Sequence, residues 1–175
     1  MSYLKEMEYE IIPTESYQII RGCAGCGCKQ NFINTGKFRV NANGNQLDAW
    51  LIYQCEKCGH TYNLPLYERV RPGKIPKNVY EGFLANDEEL AFQYGTDKTV
   101  FSRGRAEVAW EKVRYKLVSA KVCDYDLERD SLKVFLHNPY QIPVREEKIA
   151  ADILQVSRSR IKKLQEKERL FIELV

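Results

Sequence analysis

Four of the six cysteines stand in two matched pairs, and these residues carry the chemistry most plainly written in the chain. Cys23-Ala24-Gly25-Cys26 is followed by Gly27, and Cys55-Glu56-Lys57-Cys58 by Gly59. A tetrahedral zinc ion takes four soft or borderline ligands, with sulfur at about 2.3 Å. A Cys-x-x-Cys turn sets two thiolates on one side of a tight loop. The glycine after the second cysteine lets the backbone turn back where a side chain would be strained. Cys23, Cys26, Cys55 and Cys58 are therefore the expected ligands of a structural Zn2+. Four thiolates leave no open coordination position, which argues for a scaffold and against metal-assisted hydrolysis.

The remaining candidates fit less well. Cys28 is a third thiol in the first loop and an alternative to Cys23 or Cys26. Its Cys-x-Cys spacing suits a knuckle poorly, and it reads as a non-ligand. Cys123 reads as a small strand residue, and His60 as solvated or bonded to backbone.

Two loops can share an ion only if strands bring them to adjacent corners. Lys37–Asn41 and Trp50–Gln54 read as the two strands between the pairs, with Asn43-Gly44 as the hairpin turn, since both residues tolerate positive φ. Tyr9–Ile12 and Tyr17–Arg21 are shorter strand candidates, and Thr61–Leu66 continues extended after the second pair. The expected fold class is α+β. It comprises a zinc-ribbon-like antiparallel β module over residues 1–71, a central α/β region over 72–138, and a C-terminal module over 139–175. The turn-rich stretches Arg71–Pro76 and Asn138–Pro143 mark the boundaries.

In the central region Val79–Leu84 reads as a short helix. A second helix, Glu88–Tyr94, is capped by Asn86 or Asp87 and stopped by Gly95. Thr99–Arg114 is ambiguous between helix and strand. Leu117–Val122 and Leu132–Leu136 read as strands joined by a polar hairpin connection. That connection holds Asp124, Asp126, Glu128 and Asp130, but it lacks the central Gly and distal Glu of a calcium loop, so a solvated loop is expected.

The chain has 175 residues, 44% hydrophobic and 29% charged, with a net charge of +3. That composition is globular, and the slight basic excess permits nucleic-acid binding without requiring it. No signal-peptide pattern and no membrane-spanning run is evident, and metal-type cysteine spacing points to a reducing cytoplasm. No nucleophile with a paired base, P-loop or dinucleotide fingerprint is present, and His60 and His137 are the only histidines. The expectation is a non-enzyme.

Arg145–Leu154 carries apolar residues at helical spacing, Ser157 is an N-cap, and Arg158–Lys167 forms a basic helix before the strand Leu170–Val175. Arg158, Arg160, Lys162 and Lys163 load the start of that helix with cations, against the helix dipole, which a bound polyanion would offset. The run Arg145-Glu146-Glu147-Lys148-Ile149-Ala150-Ala151-Asp152-Ile153-Leu154-Gln155-Val156-Ser157-Arg158-Ser159-Arg160 resembles the opening of the S4 RNA-binding module. That module reads Arg-Leu-Asp, an apolar helix with an Ala, then Gly-Leu-Ser-Arg-Ser and a basic helix. Here Glu146 stands where Leu is usual and Gln155 where Gly is usual. The resemblance implies docking of structured RNA by Arg145, Arg158, Ser159, Arg160, Lys162 and Lys163. A helix-turn-helix DNA regulator and a protein-interaction adaptor are the alternatives.

The wider chain resembles a bacterial family designated domain of unknown function 1062. The resemblance rests on Cys23–Cys26, Phe38–Ala42, Leu47–Tyr53 and Ser157–Arg160. It implies a bacterial cytosolic protein with a zinc-ribbon-like site and supplies no activity.

Overall fold

A computed structural model describes residues 3–175. Along the chain the strands are β1 Leu4–Pro13, β2 Ile19–Cys23, β3 Cys28–Asn43, β4 Gln46–Cys55 and β5 Thr61–Val70. Three helices follow, α1 Lys77–Ala85, α2 Glu88–Tyr94 and α3 Lys98–Arg103. Then come β6 Glu107–Val108, β7 Tyr115–Lys121, β8 Ser131–His137, α4 Glu146–Leu154, α5 Arg158–Glu166 and β9 Leu170–Leu174. The fold is α+β, with two sheets and five α-helices among the described residues.

The chain divides into two compact units: Pro13–Arg114, and the segment up to Ile12 together with Tyr115–Val175. The two turn-rich stretches expected at module boundaries each lie inside a unit. Pro72–Lys74 is a 3-10 turn leading into α1, and the Asn138–Pro143 stretch leads from β8 toward α4.

The Pro13–Arg114 unit is built on the sheet β5-β4-β3-β2-β6. Alternation along β4 decides its faces: Leu47, Ala49, Leu51, Tyr53 and Cys55 are buried, and the residues between them are not. The buried face meets the helices through aromatic rings. Phe38 lies 4.9 Å from Phe83 of α1, and Tyr53 lies 6.3 Å from Phe101 of α3 in an edge-on contact. Burying a ring such as Phe83 contributes about 2–3 kcal/mol.

The β3–β4 turn is displaced by one residue from its expected place. Asn43 pairs with Gln46, so the two loop residues are Gly44 and Asn45. Only Gly44 among them has positive φ, at 61°, which is the pattern of a type II′ hairpin with glycine first. α2 is as expected: the Asp87 carboxylate accepts from the Leu90 N–H at 2.8 Å, and Gly95 follows its last turn. The ambiguous stretch resolves into α3, capped by Asp97 accepting from the Thr99 N–H at 2.9 Å, and the short edge strand β6.

In the other unit the sheet runs β7-β1-β8-β9. β1 is parallel to β8, with Met7 opposite Val134, and β8 is parallel to β9, with Val134 opposite Ile172. β7 and β8 are therefore not a hairpin, because β1 lies between them. A parallel pair requires a crossover, and α4 and α5 provide it between β8 and β9. Leu132, Val134, Leu136, Ile149, Leu154, Ile161 and Leu164 are buried in this unit. The acidic connection before β8 is tied down as well as solvated. Lys5 Nζ lies 3.0 Å from Asp130, and Arg169 donates to the carbonyls of Leu127 and Asp130 at 2.6 and 2.9 Å.

Candidate functional site

The first cysteine pair bridges the end of β2 and the start of β3, and the second bridges β4 and β5. In the first loop the Gly27 N–H donates to the Cys23 carbonyl at 2.8 Å. The second loop repeats this, with the Gly59 N–H donating to the Cys55 carbonyl at 3.0 Å. Gly27 and Gly59 have φ of 70° and 80°, so both glycines do what their position after the pair requires. Pairing of β3 with β4, Phe32 opposite Cys55, brings the two loops together.

Cys23 Sγ lies 3.4 Å from Cys58 Sγ, and Cys26 Sγ lies 3.9 Å from Cys55 Sγ. All four sulfurs fall within 4.8 Å of one another. Sulfurs at about 2.3 Å around one tetrahedral ion would stand about 3.8 Å apart, so the donor set and its spacing fit such an ion. The four cysteines could hold a metal ion. Cys28 is outside the cluster; its Sγ meets the Gln30 side-chain amide at 3.3 Å. His60 follows the second loop and is exposed.

Two features of the cluster went unread in the sequence. Gly25 is needed for space: a Cβ there would stand 2.9 Å from Cys58 Sγ. The thiols also differ in acidity. Burial opposes ionisation of Cys55, but the N–H groups of Cys58 and Lys57 and the neighbouring thiols outweigh it and lower its pKa to about 7. Burial and the other three thiols push Cys26 up to about 12. Four sulfurs this close cannot all be thiolates without a cation among them.

The second group of expected site residues lies on α4 and α5. Gln155 ends α4 in the left-handed region, with φ 53°, and Ser157 Oγ accepts from the Arg160 N–H at 3.2 Å to begin α5. The tight joint sets Arg145, Lys148, Arg158 and Lys162, together with the carboxylate of Glu147, around one hollow of about 300 Å3. An adjoining hollow of about 390 Å3 shares Arg145, Lys148 and Arg158 and adds Asp152. Lys148 was overlooked in the sequence, where Arg145 and the cations of α5 were counted but not the charge within α4. Arg160 points elsewhere: its guanidinium is paired with the Glu128 carboxylate. Ser159 and Lys163 are exposed on α5 and do not line either hollow.

Together these features define a two-unit α+β protein with a four-cysteine cluster at the corner of one sheet. The chain belongs to the family described as protein of unknown function (DUF1062), whose model matches residues 40–174. The match takes in the second cysteine pair, α4 and α5, and begins after the first pair. No curated protein and no solved structure matches the chain. No helix among the described residues is long and apolar enough to cross a membrane.

Proposed function

We propose that this protein is a zinc-stabilised RNA-binding protein of the bacterial cytoplasm. Zn2+ bound by Cys23, Cys26, Cys55 and Cys58 closes a zinc-ribbon-like corner. Structured RNA docks on the S4-like pair α4–α5. The zinc is structural, because four thiolates fill a tetrahedron and leave no position for water or substrate. Elemental analysis of the purified protein is expected to find about one zinc per chain.

The observation that carries the RNA reading is the gathering of Arg145, Lys148, Arg158 and Lys162 around one hollow. Arg158 and Lys162 are one helical turn apart, so phosphates of an A-form backbone can bridge them. Arg160, Ser159 and Lys163 stand outside that hollow and contribute less. A helix-turn-helix reading toward duplex DNA uses the same joint. It is disfavoured because Arg160, in the first turn of the helix that would enter the groove, is already held by Glu128.

The test is binding of an RNA hairpin by the zinc-loaded full chain across a salt series. Arg158→Gln with Lys162→Gln is expected to weaken binding about tenfold or more and to lower the salt slope by about two. Arg160→Gln is expected to leave the slope unchanged. A hairpin that fails to bind in low salt, or a preference for duplex DNA in competition, overturns the reading.

A further inference from the structure

The five-stranded sheet presents a second face, opposite the one packed on α1–α3. Phe38, Leu51 and Leu64 are buried on the helix side, so the cross-strand pairs one residue away stand on the other. Those pairs are Arg39 with Trp50, Lys37 with Ile52, and Ile33 with Gln54. The Arg39 guanidinium lies 6.0 Å from the centre of the Trp50 ring. Next to it the bulge between Asn34 and Lys37 opens a hollow of about 470 Å3 lined by Ile33, Lys37, Ile52, Gln54 and Thr61 among others. Ile33 is 43% exposed at its edge.

Gln54 donates its side-chain amide to the Gly59 carbonyl of the second cysteine loop at 3.0 Å, and the other side chains of this face take no part in the cluster. Lys37 and Arg39 are exposed and have no carboxylate partner among the described residues. Asp48, on the same face, is engaged by the Arg69 N–H at 2.8 Å. An indole plate, a guanidinium beside it, a second cation two residues along and an open hollow with Ile33 and Ile52 in an otherwise polar wall form a sequence that suits stacked bases on a tracked backbone.

We propose that this face binds single-stranded RNA. A base stacks on Trp50, its neighbour enters the hollow beside Ile33 and Ile52, and Lys37 and Arg39 meet the phosphates. The Gln54 side-chain carbonyl, whose amide nitrogen is held by Gly59, and the Thr61 hydroxyl can meet ribose hydroxyls. A second copy of the chain is a poorer occupant, since a two-fold contact through this face would set Lys37 and Arg39 against their own copies. The surface shares no residue with the α4–α5 hollow.

The experiment titrates an eight-nucleotide oligouridylate into zinc-loaded full-length protein, following tryptophan quenching and the anisotropy of a labelled copy. Quenching is expected. Trp50→Leu is expected to weaken binding roughly 5- to 150-fold, the range for loss of one stacked base. Lys37→Gln with Arg39→Gln, an exposed pair whose loss leaves the core intact, is expected to reduce the salt slope by about 1.4. Arg158→Gln with Lys162→Gln is expected to weaken hairpin binding but to leave the quenching that Trp50→Leu removes unchanged, which separates failure here from failure of the hairpin reading. The proposal is overturned by absence of quenching at tens of micromolar protein, or by wild-type binding in both sheet variants. Equally tight oligodeoxythymidylate would remove the assignment to RNA. Displacement by oligoglutamate at equal charge would reduce the face to a generic anion site. Self-association abolished by Trp50→Leu would assign the face to a second copy.

Discussion

The thiol cluster and the α4–α5 hollow both gather groups that repel one another once charged, yet the two regions meet that cost differently. The four sulfurs lie within 4.8 Å and two of the cysteines, Cys23 and Cys55, are buried, so water screens four thiolates poorly. Thiols can keep their protons until a cation arrives. Arg145 and Arg158 have no such option, because a guanidinium stays charged at any ordinary pH. They stand exposed, where water and salt screen them. A counter-ion at the first region would therefore be part of the fold, whereas at the second it would be a visitor.

The largest effect expected from this contrast is on metal removal. Cys55→Ser, or chelation of the wild-type chain, should release the zinc and destabilise the Pro13–Arg114 unit by at least about 3 kcal/mol. That corresponds to roughly 12–24 °C in Tm for a unit of this size. Cys28→Ser should retain one zinc and the wild-type melt. Elemental analysis with a thermal melt reads both. Zinc retained by Cys55→Ser with an unchanged melt would erase the distinction between the two regions.

A smaller effect is expected where a charge is held by its own chain. Asp130 accepts from the Asp126 N–H at 2.8 Å and meets Lys5 at 3.0 Å, and these hold its carboxyl below the usual value of 3.8. A carboxylate whose folded pKa is depressed contributes stability above its unfolded pKa. That contribution is lost as pH falls through the folded pKa. The urea midpoint of the wild-type chain should therefore exceed that of Asp130→Asn at neutral pH, and the gap should close below about pH 4. A gap independent of pH between neutrality and acid would show that the side chain acts only through its shape.

The same contrast explains what could be read before coordinates. The cysteine loops, α2 and α5 are written in a few adjacent residues: a pair and its glycine, Asp87 with Gly95, Ser157 before Arg158. Their chemistry is local, and the structure places them within a residue or two of expectation. The Gly44 turn slipped by one because Asn43-Gly44 and Gly44-Asn45 are both acceptable hairpin dipeptides, and cross-strand packing chose between them. The parallel pairing of β1 with β8 was beyond reach. It joins Met7 to Val134, and nothing in either strand names a partner so distant in the chain. Arg160 shows the same limit at a side chain. Its type and position suit an anion, but Glu128 reaches it from another part of the chain.

The smallest effect expected lies at the joint that faces the cations together. Gln155 takes φ 53° at the end of α4, while the Val156 N–H donates to the Ala151 carbonyl at 3.1 Å. A residue with a Cβ in that conformation costs about 1–2 kcal/mol, and glycine does not incur it. Glycine also gains freedom in the unfolded chain, which returns about 0.4–1 kcal/mol of the benefit. Gln155→Gly should therefore stabilise its unit by about 0.5–1 kcal/mol, a rise in Tm of roughly 2–8 °C. Because the joint geometry is unchanged, hairpin affinity should stay within about twofold of wild type. A lower Tm would mean that the Gln155 side chain supports the joint. An affinity that falls while Tm rises would mean that the strained linkage itself holds Arg145 and Arg158 in register.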